Sequence, residues 1–422
     1  MTAPFFPANI LIPKEGFEKW SVIACDQYTS DSKYWKDVEN TVADAPSSLR
    51  ITLPEIFLED NDVSERVEKI NETMKKYLSD GIFEELKNTF IYVERTLRSD
   101  TIRKGIIGVI DLEAYDFSTD STALVRATER TVTERIPPRV KIRQNAPLEL
   151  PHIMVLFDDP GDSIFSSLAK FKPTMKKVYD FKLMKNSGYI SGWKADGAAA
   201  EDIKKGFDDL LKRSTDHASG KAPLLFAVGD GNHSLATAKT CWEAIKKDLT
   251  EEQRATHPAR FALAEAVNIH DSSLDFEPIH RVLFNTNTEI FREELLNYFK
   301  GRINEDLCEV NDFNDFVTVS TDYEHVYELT EKKTNLTIGD VQEFLDYYIK
   351  EVDTGAKIDY IHGDGTAIEL GRKENNVAIL MPSISKSDLF DMVMLAGVLP
   401  RKTFSMGEAD DKRFYLEAKQ II

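Results

Sequence analysis

The stretch Leu224-Leu225-Phe226-Ala227-Val228-Gly229-Asp230-Gly231-Asn232-His233-Ser234-Leu235-Ala236-Thr237-Ala238-Lys239 joins an apolar run to an alanine-rich one. The apolar run predicts a buried strand, whereas the apolar residues from Leu235 to Ile245 recur at helical spacing and predict a helix from Ser234 onward. The turn between them is short, and Gly229 and Gly231 can adopt a positive φ that lets a ligand approach the backbone closely. The stretch therefore predicts a strand–turn–helix joint.

Such a joint can bind an anion. The first N–H groups of the helix have no intrahelical partner and lie at the positive end of the helix dipole, which suits a phosphate group. The alternative is that Asn232 or Ser234 caps the helix and the glycines only turn the chain. Asp230 and His233 favour a functional turn, because a turn that needs geometry alone has no use for a carboxylate and an imidazole.

The composition limits the classes of partner. The chain has 422 residues with 42% hydrophobic and 10% aromatic residues, enough for a sizeable core and for two or more lobes. Its 53 basic and 72 acidic residues give a net charge of −19, which argues against non-specific binding to DNA or to an anionic membrane. A small-molecule partner is the expectation that remains.

Cysteine usage and hydropathy predict a cytoplasmic protein. Cys25, Cys241 and Cys308 are far apart and odd in number, which fits a reducing compartment rather than a disulfide framework. No apolar run approaches the roughly 18 residues that span a bilayer, and the N-terminus has no signal-peptide pattern. Oligomeric state is left open.

Strand and helix patterns alternate along the chain and predict the α/β class, as a mixed α+β protein. Strands are expected at Phe90–Thr96 and Gly105–Leu112, joined by a hairpin turn, and an amphipathic helix at Asp62–Leu78. A change in pattern near residue 285 predicts two lobes, a core lobe at 1–284 and a smaller α+β lobe at 285–422.

The segment Arg126–Arg139 holds four arginines and two glutamates in 14 positions. One interpretation is a helix with a solvated face, on which charged residues pair at a spacing of four. Pro137 and Pro138 would end this helix. The other is a phosphate-binding segment, since arginine presents a planar fork suited to phosphate and is unexpectedly frequent here for an acidic chain. The candidate residues are Glu129, Arg130, Glu134 and Arg135.

Several known sites are absent from the sequence. There is no HExxH or carboxylate-rich cluster, so no resident metal site is expected, and neither a GxxxxGK[ST] phosphate loop nor a GxSxG nucleophile elbow occurs. Among the eight histidines, His280 stands out because Arg281 follows it within an apolar stretch.

The turn and four other segments together resemble a family. Asp230–Ala238 resembles the DGHHR-x-x-x-A signature of an uncharacterised bacterial and archaeal family that is often labelled as related to the chromosome-partitioning protein ParB. The segments that resemble its other motifs are Ala24–Tyr28, Arg126–Arg139, Pro278–Leu283 and Leu399–Phe404. The resemblance implies a core lobe like that of the ParB/sulfiredoxin superfamily, which includes free-serine kinases.

This chain departs from the signature at two positions of the turn. Asn232 stands where the signature has its first histidine, and Ser234 stands where it has an arginine that contacts phosphate in the superfamily. The HE pair that opens the family's upstream motif is also absent before Thr128. These losses weigh against phosphoryl transfer more than against phosphate binding, which backbone N–H groups can perform.

Three functions follow as expectations, and the first is a phosphotransferase or nucleotide hydrolase. It would use ATP, ADP or CTP, with Mg²⁺ as a companion ion, and act on a small hydroxylated metabolite such as serine. The second is a nucleotide- or anion-binding regulatory protein without turnover. The third is a ParB-like DNA-associated protein. The acidic composition disfavours this function, and the sequence shows no basic helix that would bind DNA.

The residue roles in the enzymatic reading are divided between proton transfer and phosphate binding. Glu129 or Glu134 would be the general base, and Asp230 would hold a metal or orient His233. The phosphate-binding set implied by the pattern and the resemblance is Gly229, Gly231, Asn232, Ser234, Arg130, Arg135, His280 and Arg281.

Overall fold

The computed structural model describes residues 2–29, 31–58, 60–131, 136–150, 152–218, 220–306, 315–334, 336–400, 402–407 and 409–422. The chain forms two compact units, of which the first comprises Met1–Leu274 with Glu408–Ile422 and the second Asp275–Gly407. The second unit is thus an insertion in the sequence of the first. The expected boundary between lobes, at residues 284 and 285, falls directly after the strand Phe276–Phe284. That boundary stays a prediction.

Among the described residues, the strands of the first unit before the insertion are β1 (Phe5–Phe6), β2 (Ala8–Pro13), β3 (Val22–Ile23), β4 (Phe83–Thr96), β5 (Ile102–Asp111), β6 (Tyr115–Asp116), β7 (Val125–Ala127), β8 (Leu148–Glu149), β9 (Met154–Phe157), β10 (Lys176–Lys182), β11 (Tyr189–Ala195), β12 (Phe226–Asp230) and β13 (Phe261–Asn268). Its helices are α1 (Phe17–Trp20), α2 (Ser32–Val42), α3 (Val63–Ser79), α4 (Ile136–Arg143), α5 (Ser163–Leu168), α6 (Gly197–His217), α7 (Asn232–Ile245) and α8 (Glu251–Thr256). The expected helix at 62–78 and the hairpin of β4 and β5 are confirmed.

One large mixed sheet organises this unit. Its strand order is β10-β11-β4-β5-β13-β9-β12-β7-β6, and β1 and β2 add to β5 and β4. Most pairs are antiparallel, but β7 runs parallel to both β12 and β6, and β13 runs parallel to β9. The expected mixed α+β class is confirmed.

Both faces of this sheet are buried. Along β4, Phe90 and Tyr92 pack into one apolar cluster with α6 and α7, whereas Ile91 and Val93 pack into a second cluster with α2 and α3. Side chains of a strand alternate between faces, so a run of apolar residues is required where both faces are covered. This explains why the strands of the sequence read as continuous apolar stretches.

The second unit is a separate antiparallel sheet with helices. Its strands are β14 (Phe276–Phe284), β15 (Ile303–Asp306), β16 (Phe316–Val319), β17 (Glu324–Leu329), β18 (Lys357–His362), β19 (Asn376–Leu380) and β20 (Phe404–Met406), in the order β15-β17-β16-β19-β14-β18 with β20 on β14. Its helices are α9 (Thr288–Tyr298), α10 (Thr337–Tyr347), α11 (Asp364–Gly371) and α12 (Leu389–Ala396).

The last segment of the chain returns to the first unit. There, β21 (Phe414–Tyr415) pairs with β3, and β22 (Lys419–Gln420) pairs with β8. In the part of the chain that the structure describes, no helix is long and apolar enough to cross a membrane.

The interpretation of Arg126–Arg139 as one solvated helix that the two prolines end is wrong. Arg126 lies in strand β7 with 3% exposure and donates to the carbonyl groups of Ala123, Ala222 and Pro223. Pro137 and Pro138 lie in the first turn of α4 instead of ending a helix. A first-turn N–H has no intrahelical acceptor, so proline is tolerated there.

Gly192 provides a test of packing in the sheet. It lies opposite Tyr179, and a Cβ added to it would lie 2.2 Å from the Tyr179 ring. We expect Gly192→Ala to lower the free energy of unfolding by about 1–3 kcal/mol in urea denaturation, because the ring is fully packed. The control is Gly161→Ala, whose Cβ would meet no atom within 4 Å. Equal stability of the two variants would contradict this packing.

Candidate functional site

The turn Gly229–Ser234 lies where two parallel strands end. The register pairs Val228 of β12 with Ala127 of β7, and the Thr128 hydroxyl donates to the Val228 carbonyl at 2.7 Å. Glu129 and Arg130 therefore follow β7 at the same sheet edge at which the turn follows β12. The carboxyl ends of parallel strands are a common location for ligand sites.

Gly231 is required at its position for two reasons. It adopts a left-handed conformation with φ 77°, and a Cβ there would lie 3.0 Å from the Ile153 Cα. It also occupies the cap position of the 14-residue helix α7, so no side chain caps the first turn. The start of the helix thus offers backbone donors and a positive dipole end to an anion.

Asn232, His233 and Ser234 form the first turn of α7 and are half-buried, as are Gly229 and Asp230. Within the described residues, the Asn232 side-chain oxygen is buried and has no hydrogen-bond partner. A buried polar oxygen without a donor is costly, so a ligand hydroxyl or amino group would be stabilised here.

Asp230 connects the turn to a lysine. Its Oδ1 accepts from the Gly231 N–H at 2.9 Å, and its Oδ2 lies 3.3 Å from the Lys412 Nζ. The two side chains are 17% and 18% exposed, so the pair is mostly withdrawn from water. Lys412 therefore brings a positive charge beside the turn.

Two buried arginines fix the segment that carries Lys412. Arg95 donates to the carbonyl groups of Asp410, Asp411 and Lys412, and Arg103 donates to that of Asp411 at 2.9 Å. Hydrogen bonds to a charged donor are stronger than neutral ones, and here they hold backbone atoms. The position of Lys412 is consequently set by β4 and β5.

A carboxylate–histidine pair lies in the same neighbourhood. The Asp26 Oδ2 is 3.3 Å from the His152 Nε2, and His152 lies two residues before Met154, the first residue of β9, which pairs with Asp230. Burial opposes ionisation of Asp26, but His152 and Lys412 outweigh it and hold its pKa below the ordinary range. Burial likewise disfavours the imidazolium, yet Asp26 and Asp230 raise the pKa of His152.

Hydrogen-bond accounting supports a charged His152. The Tyr415 hydroxyl donates to the Cys25 Sγ at 2.9 Å, accepts from the Cys25 N–H at 3.2 Å, and lies 3.1 Å from the His152 Nδ1. When the single proton of the hydroxyl is directed at the Cys25 Sγ, the hydroxyl oxygen accepts from Nδ1–H, while Nε2–H faces Asp26. Both ring nitrogens are then donors, as in imidazolium.

The structure places the remaining predicted residues as follows. Glu129 is half-buried and Arg130 is exposed, both at the edge described above, whereas Glu134 and Arg135 lie outside the described residues. His280 and Arg281 lie in β14 of the second unit and are buried. Their roles in a phosphate site stay predictions.

The contacts of His280 and Arg281 lie within the second unit. The His280 Nδ1 accepts from the Met381 N–H at 3.1 Å, and its Nε2 is 2.6 Å from the Asp364 Oδ1. Arg281 donates to the Ile279 carbonyl and, at 3.3 Å, to the Gln342 side-chain oxygen. Each therefore has a local structural partner.

Sequence reasoning assigned no role to Asp26, His152, Lys412 or Tyr415. Asp26 falls in the motif Ala24–Tyr28, so a polar residue in a family motif was an available signal. His152 and Lys412 carry no local signal, because their proximity to Asp230 arises from sheet register and from the return of the chain.

The Asp26–His152 pair predicts a pH dependence of stability. Because the folded-state pKa of His152 is raised above its ordinary value of 6.5, the pair contributes fully below that pH and its contribution is lost as pH rises through the folded pKa. Asp26, Asp230 and Arg413 are the charges that act on it. Thermal unfolding from pH 6 to 9 should show a smaller loss of stability for Asp26→Asn than for wild type.

The matched control is Asp44→Asn, which replaces an exposed aspartate. It should follow the wild-type pH profile. Identical pH profiles of stability for Asp26→Asn and wild type would show that Asp26 does not raise the pKa of His152.

Solved structures that are similar to this chain include the following three. SbnI with a C-terminal truncation from Staphylococcus aureus is 10% identical, with 71% of this chain and 82% of that chain covered and a TM-score of 0.36. A free serine kinase in complex with AMP is 11% identical, with 73% and 90% covered and a TM-score of 0.39. A conserved hypothetical protein from Pyrococcus furiosus is 12% identical, with 52% and 89% covered and a TM-score of 0.32.

No curated protein matches this chain. The profile of a family described as "Protein of unknown function (DUF1015)" matches residues 6–348, which is most of the chain. The chain therefore belongs to the DUF1015 family of proteins of unknown function.

Proposed function

We propose that this protein binds the phosphate groups of a nucleotide at the turn Gly229–Ser234. The observation that carries the proposal is the uncapped start of α7 at Gly231, with Lys412 on the neighbouring carboxylate of Asp230. Backbone donors at a helix start and a nearby cation are the elements of a phosphate site. ATP, ADP and CTP are the proposed ligands.

A phosphotransferase is the function that uses all parts of this site. In the proposed step, the hydroxyl oxygen of a small metabolite such as serine forms a bond to the terminal phosphorus, and the bond from that phosphorus to the nucleotide oxygen breaks. The hydroxyl proton passes to a carboxylate. The choice of serine rests on the resemblance to the ParB/sulfiredoxin superfamily, which is itself part of the proposal.

The proposed roles follow from position and charge. Lys412 and Arg130 would neutralise the charge on the transferred group, with Arg135 as a further donor. Glu129 or Glu134 would accept the hydroxyl proton, whereas Asp26, whose pKa is lowered by His152, is too weak a base for this role. Asn232 would accept a hydrogen bond from the ligand through its buried oxygen.

The carboxylates near the turn fit a magnesium ion that arrives with the nucleotide. Mg²⁺ commonly takes one or two protein carboxylates together with phosphate oxygens and water. Asp230 is the residue that would hold it, and Asp26 could supply a second oxygen. When bound, the ion would supply positive charge to the phosphate oxygens.

A regulatory binder without turnover is the second candidate, and Ser234 favours it. The signature arginine that the resemblance places at this position contacts phosphate in the superfamily, and a serine cannot replace its charge. The backbone donors of the turn remain, so binding is retained while stabilisation of the transferred group is weakened.

Gly231→Val tests the phosphate site. Valine adds atoms where the Cβ already lies 3.0 Å from Ile153 and disfavours the left-handed conformation. We expect calorimetric titration of ATP, ADP and CTP, each with and without Mg²⁺, to show binding to wild type and none to the variant. The matched control is Gly16→Val, because Gly16 has nearly the same conformation, φ 71°, caps α1 and has open space around it.

The control should keep wild-type affinity, and circular dichroism should confirm that both variants fold. Unchanged affinity in a folded Gly231→Val variant would move the phosphate site elsewhere. A wild-type protein that binds none of the three nucleotides would overturn both candidate functions.

His233→Ala distinguishes the enzyme from the binder. If His233 acts on the transition state, transfer of phosphate to serine should fall by about 100-fold or more while nucleotide affinity is nearly kept. A protein that only binds nucleotide has no turnover, so His233→Ala could change its nucleotide affinity alone. The control His217→Ala replaces an exposed histidine at the end of α6 and should change neither quantity.

A further inference from the structure

Three buried arginines of the first unit lie close together at the segment that carries Lys412. Arg95 lies in β4, Arg103 in β5, and Arg413 directly after Lys412. They are 3%, 5% and 4% exposed, so their charges are removed from water. Burial of a charge is costly unless it is paired.

Two of these charges face each other. Arg95 and Arg103 are directly opposed in the antiparallel register of β4 and β5. Like charges directly across two strands destabilise a sheet. Burial and the repulsion by Arg103 lower the pKa of Arg95 to about 9, which indicates that its charge is incompletely compensated.

The buried carboxylates do not balance the cluster. Glu265 and Glu417 pair with Arg413 at 2.9 and 2.6 Å, and Glu417 also accepts from the Tyr179 hydroxyl. Arg95 and Arg103 make the carbonyl hydrogen bonds described above. Among the described residues around the cluster, three guanidinium groups are thus accompanied by the two buried carboxylates of Glu265 and Glu417.

Asp411 does not remove this imbalance. Its carboxylate attracts Arg95 but belongs to a half-buried residue, in contrast to Glu265 and Glu417. Solvent around a half-exposed charge weakens its effect on a buried one.

A small cavity lies among these side chains. Its volume is about 10 Å³, and the three arginines, Glu265, Glu417 and the ring of Phe414 contribute to its wall. Within the described residues, the Nε atoms of all three arginines are buried without an acceptor. A cavity of this size holds a single particle about as large as a water molecule.

We propose that this cavity binds one monatomic anion, with chloride as the physiological representative. An anion accepts hydrogen bonds from the unpaired Nε–H groups and also neutralises the excess positive charge, whereas water does only the former. A halide ion is larger than water, so the arginine side chains must move slightly apart to admit it, and a polyatomic anion such as sulfate or phosphate would require a much larger displacement. A bound anion would join β4 and β5 to the returning segment, and the proposal does not rest on nucleotide binding.

The test is the thermal stability of the full chain in chloride, bromide or gluconate at constant ionic strength and pH 7. Above the dissociation constant, each tenfold rise in chloride or bromide should raise the Tm by about 2 °C, because the anion binds the folded state. Gluconate should give no such rise. Equal Tm values in all three salts would overturn the proposal.

Variants assign the effect to the cavity. Arg103→Met removes the excess charge and one Nε–H group, so the halide dependence should disappear. The control Arg66→Met replaces a partly exposed arginine paired with Asp62 and should keep the dependence. A halide dependence that persists in a folded Arg103→Met protein would contradict the assignment.

Anomalous scattering from wild-type crystals grown in bromide provides a readout that needs no variant. A bromide peak among Arg95, Arg103 and Arg413 is the expected result. A peak absent from the cavity, with density for water alone, would overturn the proposal. Nucleotide titration is a separate measurement, so failure of the phosphate site would leave this result intact.

Discussion

The hydrogen bonds from Arg95 and Arg103 to the carbonyl groups of residues 410–412 hold Lys412 at the candidate site. The segment they hold enters the first unit after an insertion of more than a hundred residues, Asp275–Gly407. These bonds hold Lys412 beside Asp230, and the pairing of β21 with β3 holds Tyr415 beside His152. A site that depends on such a return forms only when distant parts of the chain have folded together.

The strand–turn–helix joint could be predicted from sequence because its determinants are local. An apolar run, two glycines around a carboxylate and helical spacing are all visible within sixteen residues. The structure gives a specific reason for Gly231 that the sequence does not contain, which is the approach of Ile153. That contact depends on the pairing of β12 with β9.

Other parts depend on long-range arrangement and could not be predicted. Arg126 reads as a surface charge, but it is a buried donor to three carbonyl groups. The prolines at 137 and 138 read as a helix stop, and in the structure they begin a helix. In each case the residue type was compatible with two environments, and tertiary contacts decided between them.

Charge in this protein is organised locally in spite of the net value of −19. At the candidate site, Asp26 and Asp230 are paired with His152 and Lys412, so the four groups are balanced. Under the proposed function, a phosphate would compete with Asp230 for Lys412, whereas the glycine at the start of α7 has no side chain to compete for the backbone donors. The turn is therefore the part of the proposed site that would contribute the first binding energy for an anion.

A crystal structure of the full chain with ADP is the most direct test of this assignment. We predict that the phosphate groups lie within hydrogen-bond distance of the N–H groups of Asn232, His233 and Ser234, with the Lys412 Nζ turned from Asp230 toward a phosphate oxygen. ADP bound elsewhere would contradict it. One alternative location is the cavity of about 480 Å³ that Phe6, Arg260 and Lys419 help to line.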